Sequence, residues 1–284
     1  IEANLANDDG GGMRFLQAGN FPISVTNNVV VDNISTHEGG GIALDDAPDV
    51  RIVNNTVMGN LTTATALTSN GQPAPAGLST AANSDQLQAT LPAGSDTFSN
   101  PKLFNNIFWD NRAGAWNGLY VSGVGAPDAP AGDPIRYWDM GSADGVGPLT
   151  PTNSVLQTAT GTASSPTNTV GQDPKVVAPF TATVMIETSR TFPAFRQAVI
   201  VIQPLPLTQM GNYHLTGTGS PASNRGVGSR AFGGTTVNAP RTDLDGQPRS
   251  FMSPDSGADE ISQIAGWRPA PRQLAGRHSG GIRR

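Results

Sequence analysis

The chain contains no cysteine, which removes disulfide frameworks, thiolate nucleophiles and cysteine-ligated zinc from consideration. Charge is scarce too: Asp, Glu, Lys and Arg make up 14% of the 284 residues, against about 25% in ordinary soluble domains. No apolar run approaches the ~18–20 residues of a membrane-crossing helix, so no membrane span is expected. A net charge of −5 leaves no basic footprint, which argues against nucleic acid as a partner. His37, His214 and His278 are the only histidines and share no ligand-type spacing. There is no phosphate loop, dinucleotide fingerprint or Ser/His/Asp spacing.

What the chain does have is glycine and proline, 34 and 23 residues, a composition of many short strands joined by tight corners. One pattern recurs three times: SVTNNVVVDN (24–33), RIVNNTVMGN (51–60) and KLFNNIFWDN (102–111). Asn27 to Asn54 is 27 residues and Asn54 to Asn105 is 51, close to two such steps. Short apolar segments repeating at that interval predict a solenoid, in which each coil buries its apolar face by stacking on the next. The expected fold is all-β, a right-handed parallel β-helix of three short strands per coil, with long loop excursions and an irregular C-terminal module. Paired asparagines suit its corners. The side-chain amide both donates and accepts, and asparagine tolerates left-handed backbone, so Asn28, Asn55 and Asn106 should stack as a ladder.

Aligning Gly12, Gly41 and Gly118 predicts equivalent strands at Met13–Phe15, Ile42–Leu44 and Leu119–Val121. Strand alternation then turns Leu119 and Val121 inward and leaves an outward ladder of Arg14, Ala43 and Tyr120. Residues 1–123 are read as coils with an excursion at 61–100. Residues 124–204 are a loop-rich continuation with strands at 181–188 and 195–203. A module follows at 205–260, then an extended arginine-rich tail at 261–284. Asn4–Gly12 matches Asn33–Gly41 in spacing, so Ile1 falls inside a repeat and further coils are expected before it.

For chemistry, Asp45-Asp46 is the best acidic pair, but neighbours in a strand point to opposite faces and do not act as facing carboxylates. Corner-capping acids are the plainer reading. Asp8-Asp9 and His37-Glu38 fall at equivalent corners of successive coils, so Asp9, Glu38, Asp45 and Asp46 are candidate ligands for a hard cation such as Ca2+. No other cofactor is expected. Arg14, Trp116, Tyr120 and Trp138 are candidates for polysaccharide contact, the aromatics by stacking. Asp243-x-Asp245-Gly246 lacks the remaining ligands of a calcium loop and is read as a tight turn.

The coils resemble the right-handed parallel β-helix proteins of the pectin-lyase-like superfamily. The blocks Asn212–Leu215 with Gly219–Ala222, Asp243–Arg249 and Asp255–Glu260 are similar, in order, to a choice-of-anchor C-terminal module. That resemblance implies a secreted or cell-surface bacterial protein. With one basic residue and no carboxylate pair on the outward ladder, the expectation is a structural or adhesive segment without catalysis. The alternatives are part of a polysaccharide lyase or glycoside hydrolase, or an accessory display or assembly domain of a larger extracellular enzyme. Expected partners are a polysaccharide and either preceding coils of the same protein or neighbouring subunits.

Overall fold

The computed structural model describes residues 1–188, 199–205 and 211–261. Helix among them is confined to α1 (Asp85–Gln88). The chain visits the same four sheets in turn. It begins with β1 (Leu5–Ala6), β2 (Met13–Leu16), β3 (Ile23–Thr26) and β4 (Val29–Val31). A second circuit is β5 (Ile34–Ser35), β6 (Ile42–Asp45), β7 (Val50–Val53) and β8 (Thr56–Met58). The third is β9 (Leu61–Thr62), β10 (Leu78–Thr80), β11 (Lys102–Phe104) and β12 (Ile107–Trp109). A fourth runs through β13 (Arg112–Ala113), a side hairpin of β14 (Ala115–Trp116) and β15 (Val121–Ser122), then β16 (Met140–Ser142) and β17 (Val155–Leu156). Then β18 (Thr169–Val170) joins the edge of the last sheet.

These strands form parallel sheets in the orders β1-β5-β9-β13, β2-β6-β10-β16, β3-β7-β11 and β4-β8-β12-β17-β18. At the first-circuit end, β1, β2 and β3 are sheet edges, and Leu5, Leu16 and Phe21 are exposed there. A circuit therefore holds four strands, not three. The extra strand is only two residues long, too short to show a period in sequence.

The third copy of the glycine-led strand also differs from expectation. It is Gly77 followed by Leu78–Thr80, paired with β6 on one side and β16 on the other. Residues 61–100 are thus two shorter excursions flanking a core strand. Leu119 is 80% exposed and Val121–Ser122 pairs back on Ala115–Trp116 in an antiparallel hairpin. Gly118 sits at the tip of that hairpin, where the same glycine signal serves a turn. The ladder beside Arg14 is therefore Ala43, Ser79 and Gly141, and Tyr120 is not in it.

Backbone crowding explains the glycine runs. A Cβ on Gly40 would lie 2.3 Å from the Leu61 carbonyl oxygen, and one on Gly41 2.5 Å from that of Gly77. Neighbouring circuits touch there through bare backbone.

Two asparagine ladders run through the stack. In the first, the amide N–H of Asn28 donates to Asn55 Oδ1 (2.9 Å) and that of Asn55 to Asn106 Oδ1 (2.9 Å). Asn106 N–H then donates to Ser154 Oγ (3.0 Å), and Ser154 N–H to Asn168 Oδ1 (3.1 Å). The second links Asn4, Asn33, Asn60 and Asn111 and ends on Asp139, whose Oδ1 accepts from Asn111 Nδ2 at 3.1 Å. Burial pushes the Asp139 carboxyl up to about 7.

Inward, Val30, Val57, Phe108 and Leu156 join Ile42, Leu44, Ile52, Leu78 and Met140 in one core. The strands of the five-stranded sheet are apolar on their outer face as well, and the rest of the chain covers it. Among the described residues beyond the stack come β19 (Val176–Ala178), β20 (Met185–Thr188), β21 (Val199–Ile202) and β22 (Asn212–Leu215). A last hairpin is β23 (Ser229–Phe232) and β24 (Thr235–Asn238). Tyr213, Leu215 and Ala222 pack on Val31, Met58, Ile107 and Val155. Val237 packs on Val53 and Phe104 of the neighbouring sheet, with the Phe104 and Phe232 rings 6.1 Å apart. Burial on both faces is why these strands read as continuous hydrophobic runs. The tail beyond Ile261, with its expected extended form, lies outside the described residues.

Candidate functional site

The docking line between stack and C-terminal segment is built from the first asparagine of each pair. Asn27, Asn54, Asn105 and Asn153 have left-handed φ of 56°, 54°, 58° and 49°, which turns their side chains out of the stack at one corner. There Asn27 Nδ2 donates to the Thr242 carbonyl (2.6 Å) and Asn54 Nδ2 to that of Asp255 (2.9 Å). Asn105 Nδ2 donates to the Val227 carbonyl (2.8 Å) and Asn153 Nδ2 to that of Arg225 (3.1 Å). Arg249, buried, donates to Asn27 Oδ1 (2.9 Å), to the Gly257 and Ala258 carbonyls, and to Glu260 (3.2 Å). One corner away, Tyr213 donates its hydroxyl proton to Asp32 Oδ2 at 2.6 Å. Burial pushes the Asp32 carboxyl up to about 7 despite that bond.

Of the acids expected at a cation-binding corner, Asp9 meets Asp8, Arg14 and His37 beside β2, and among the described residues no group of ligand-type atoms joins Glu38, Asp45 or Asp46 to it. Arg14 Nη2 pairs with Asp9 at 2.9 Å and its Nη1 with Asp8 at 3.4 Å. His37 Nδ1 lies 2.8 Å from Asp9 Oδ1, and Thr68 donates to Asp8 at 2.8 Å. Asp8, Asp9 and His37 bring ligand-type atoms within 4.8 Å of one another, but the arginine already supplies their positive charge. Asp46 sits at a left-handed corner, φ 51°, and its Oδ1 accepts the Ser84 N–H at 2.6 Å. That is the backbone-capping role.

Glu38 is the group with unusual chemistry. Burial first, then the nearby Asp9, Asp144 and Asp45, push its carboxyl up to about 8, so it is protonated at neutral pH. A proton donor of that kind suits general acid catalysis in principle. Glu38 itself is 9% exposed and the adjoining outer positions Ala43 and Ser79 are 3% and 0% exposed, while Asp45 is half-buried and Asp144 exposed.

The candidate ligand residues are dispersed. Arg14 is on β2, the edge strand, and Trp138 precedes β16 at the opposite edge, with β6 and β10 between. At the usual spacing that separates them by roughly 14 Å across the sheet. Trp138 Nε1 donates to the Met140 carbonyl at 3.2 Å. Trp116 is half-buried against the Ile34, Leu61 and Val121 cluster, and Tyr120 is in the β14–β15 loop. Among the described residues no hydrogen bond or ring contact joins any two of the four. A more continuous recess, missed in sequence, has a volume of about 540 Å³ and is lined by Leu91, Phe98, Lys102 and Phe232 among others. Its walls come from the second excursion, from β11 and neighbouring corners, and from β23, and no periodic signal links the excursion and β23 to the rest. Among the described residues, no helix is long and apolar enough to cross a membrane.

Comparisons with protein-family models, with curated proteins and with solved structures find no match to this chain.

Proposed function

We propose that the chain is a structural or adhesive segment, without catalysis of its own, of a secreted or cell-surface protein. In this reading the stacked parallel sheets are a right-handed parallel β-helix of the pectin-lyase-like kind. Support comes from the in-register parallel pairing of successive circuits and from the strong right-handed preference of parallel crossovers. Residues 205–260 are read as its choice-of-anchor module. The three blocks behind that resemblance bond to one another: Leu215 N–H to Asp259, Glu260 N–H to Asp243, and Arg249 to Glu260.

The observation that carries a non-catalytic role is that Asp8, Asp9, Glu38 and Asp46 at the acidic corner are engaged or buried. Arg14 holds Asp8 and Asp9, Asp46 caps Ser84, and Glu38 is buried beside Ser79. Adhesion would use the recess lined by Phe98, Lys102 and Phe232, a cleft of the size small ligands occupy, in which Lys102 is paired with Asp49. Co-sedimentation of the purified chain with neutral and uronate-containing polysaccharides tests this. Binding without turnover, weakened in Phe232→Ala, is expected; no binding to any of them would sink the adhesive part.

A second reading, part of a lyase or glycoside hydrolase, rests on the protonated state of Glu38 beside Asp45 and Asp9. Reducing-end or unsaturated-product assays across pH 5–10 decide between the two. Turnover that disappears in Glu38→Gln would replace the structural reading with the enzymatic one.

A further inference from the structure

Three separate segments of the C-terminal region bring His214, Asp245 and Asp259 together. Each offers one ligand-type atom, and these atoms lie within 4.8 Å of one another. His214 comes from β22, Asp245 from the 243–247 turn, and Asp259 from the last described stretch. The turn is held by Asp243, whose Oδ1 accepts the N–H groups of Asp245 (2.9 Å) and Gln247 (2.7 Å). Asp259 is placed by the Leu215 N–H, which donates to its Oδ2 at 2.8 Å.

The imidazole orientation is informative. His214 Nδ1 lies 2.7 Å from Asn212 Oδ1, and that same oxygen accepts the backbone N–H of His214 at 3.1 Å. The second bond fixes the Asn212 amide with its oxygen toward the ring, so Nδ1 must carry a proton. Asn212 is outside the group of three, so this is an independent constraint on it. The ring's other nitrogen, Nε2, then faces a carboxylate: Asp245 Oδ2 is 2.6 Å away. A neutral ring in this tautomer would set a lone pair against an anion, so a cation belongs between them. It is either a second proton or a metal ion.

The two acid–histidine corners differ in their other partners. At the other acid–histidine corner, Arg14 pairs with both aspartates. Among the described residues no lysine or arginine forms an ion pair with Asp245 or Asp259, and Arg249 is engaged with Glu260. Asp259 is only 4% exposed, and Asp243 adds a further nearby carboxylate. Gln247, in the same turn, leaves a buried Oε1 with no hydrogen-bond partner.

We propose that His214 Nε2, Asp245 and Asp259 form a binding site for a divalent first-row metal ion of the Zn2+ class. One imidazole with two carboxylates fits such an ion, whereas Ca2+ prefers oxygen donors alone. Zinc bonds of about 2.0–2.1 Å set tetrahedral ligand atoms about 3.3 Å apart, so the His214–Asp245 pair opens by roughly 0.7 Å to admit the ion. Three protein ligands leave a fourth position for water, reached past His214, whose side chain is 36% exposed. Asn212 is then the outer partner that orients a metal-bound histidine. Binding displaces the Nε2 proton to solvent. With no cysteine in the chain, no thiolate competes for the ion.

The test is calorimetric titration of Zn2+ into the full chain after chelator treatment. One equivalent should bind, with proton release, and Ca2+ should not compete. His214→Gln and Asp245→Asn should each lower affinity at least about a hundredfold, and Asn212→Ala about 10–100-fold through lost orientation. Zn2+ binding unchanged in His214→Gln, or no binding by the unsubstituted chain, overturns the proposal in favour of a doubly protonated histidine. If the variants fail to fold, Co2+ added to the unsubstituted chain decides. Visible absorption from nitrogen and oxygen coordination, displaced by Zn2+, supports the site; a spectrum like aqueous Co2+ overturns it.

Discussion

At the scale of single residues, the second asparagines Asn55 and Asn106 are buried connectors whose worth exceeds their size. Asn106 accepts from the Asn55 N–H and donates to the Ile52 and Phe104 carbonyls at 2.7 and 3.0 Å. Asn106→Ala strands all three groups, and each orphan costs about 1–3 kcal/mol. We expect a loss of about 3 kcal/mol or more in urea unfolding; a change under 1 kcal/mol would mean water replaces the amide. Glu38 gives a prediction with a sign. Its folded value, about 8, is above the ordinary 4.5, so the folded chain keeps a proton that the unfolded chain sheds. Stability contributed by that proton is present at acid pH and is lost as pH rises through this window. Asp32 and Asp139, held near 7, act in the same direction. Glu38→Gln should therefore flatten the fall of Tm between pH 5 and 9, and a profile parallel to the parent's would refute the buried neutral carboxyl. The asparagine pairs were legible in sequence because both members recur. Asn153-Ser154 escaped notice because Ser154 replaces the amide with a hydroxyl that supplies the same acceptor. The three Asn-x-Ser/Thr sequons, at Asn33, Asn54 and Asn60, are fully buried, so a glycan has no room on any of them.

At the scale of elements, period and strand character were readable where apolar residues alternate, and unreadable where pairing is carried by backbone. The two-residue strands at 34–35, 61–62 and 112–113 pair in register but are too short to show alternation. Leu78–Thr80 was hidden because its inserted neighbours shift it off the 27-residue step, while Gly118-Leu119 imitates its opening. The surest sign of a true circuit is steric: glycine facing a carbonyl of the next circuit. Gly40→Ala puts a Cβ 2.3 Å from the Leu61 carbonyl oxygen and should cost several kcal/mol, about the upper range for single substitutions. Gly234→Ala, with nothing within 4 Å, should stay within about 0.5 kcal/mol. Equal melting temperatures for these two variants would argue that the circuits do not approach so closely.

Across the whole molecule, the C-terminal segment was legible as a set of ordered blocks, but not as a cover for the stack. Nothing local in Asn27 or Asn54 announces partners more than 200 residues away. The spacing of Asp8-Asp9 is visible in sequence, but its neutralisation by Arg14 is not, because nothing local links the two. Arg249 is the hub of the cover. Arg249→Met leaves Glu260 buried without its counter-charge, at a cost of about 3–5 kcal/mol. Hydrogen exchange should then rise together across 211–261 while amides of the β6–β12 strands stay protected. Exchange rising first within the stacked sheets would reverse that order of stability.

The four left-handed asparagines also determine how the molecule answers to force. A pull applied at Ile261 does not peel one circuit from the next, because Thr242, Asp255, Val227 and Arg225 grip Asn27, Asn54, Asn105 and Asn153 on four successive circuits. Load entering there is divided among attachments working side by side in shear. A chain hung in this way resists tension like a riveted strap, and single-molecule stretching between residues 1 and 261 should record one tall rupture before any staircase of small ones.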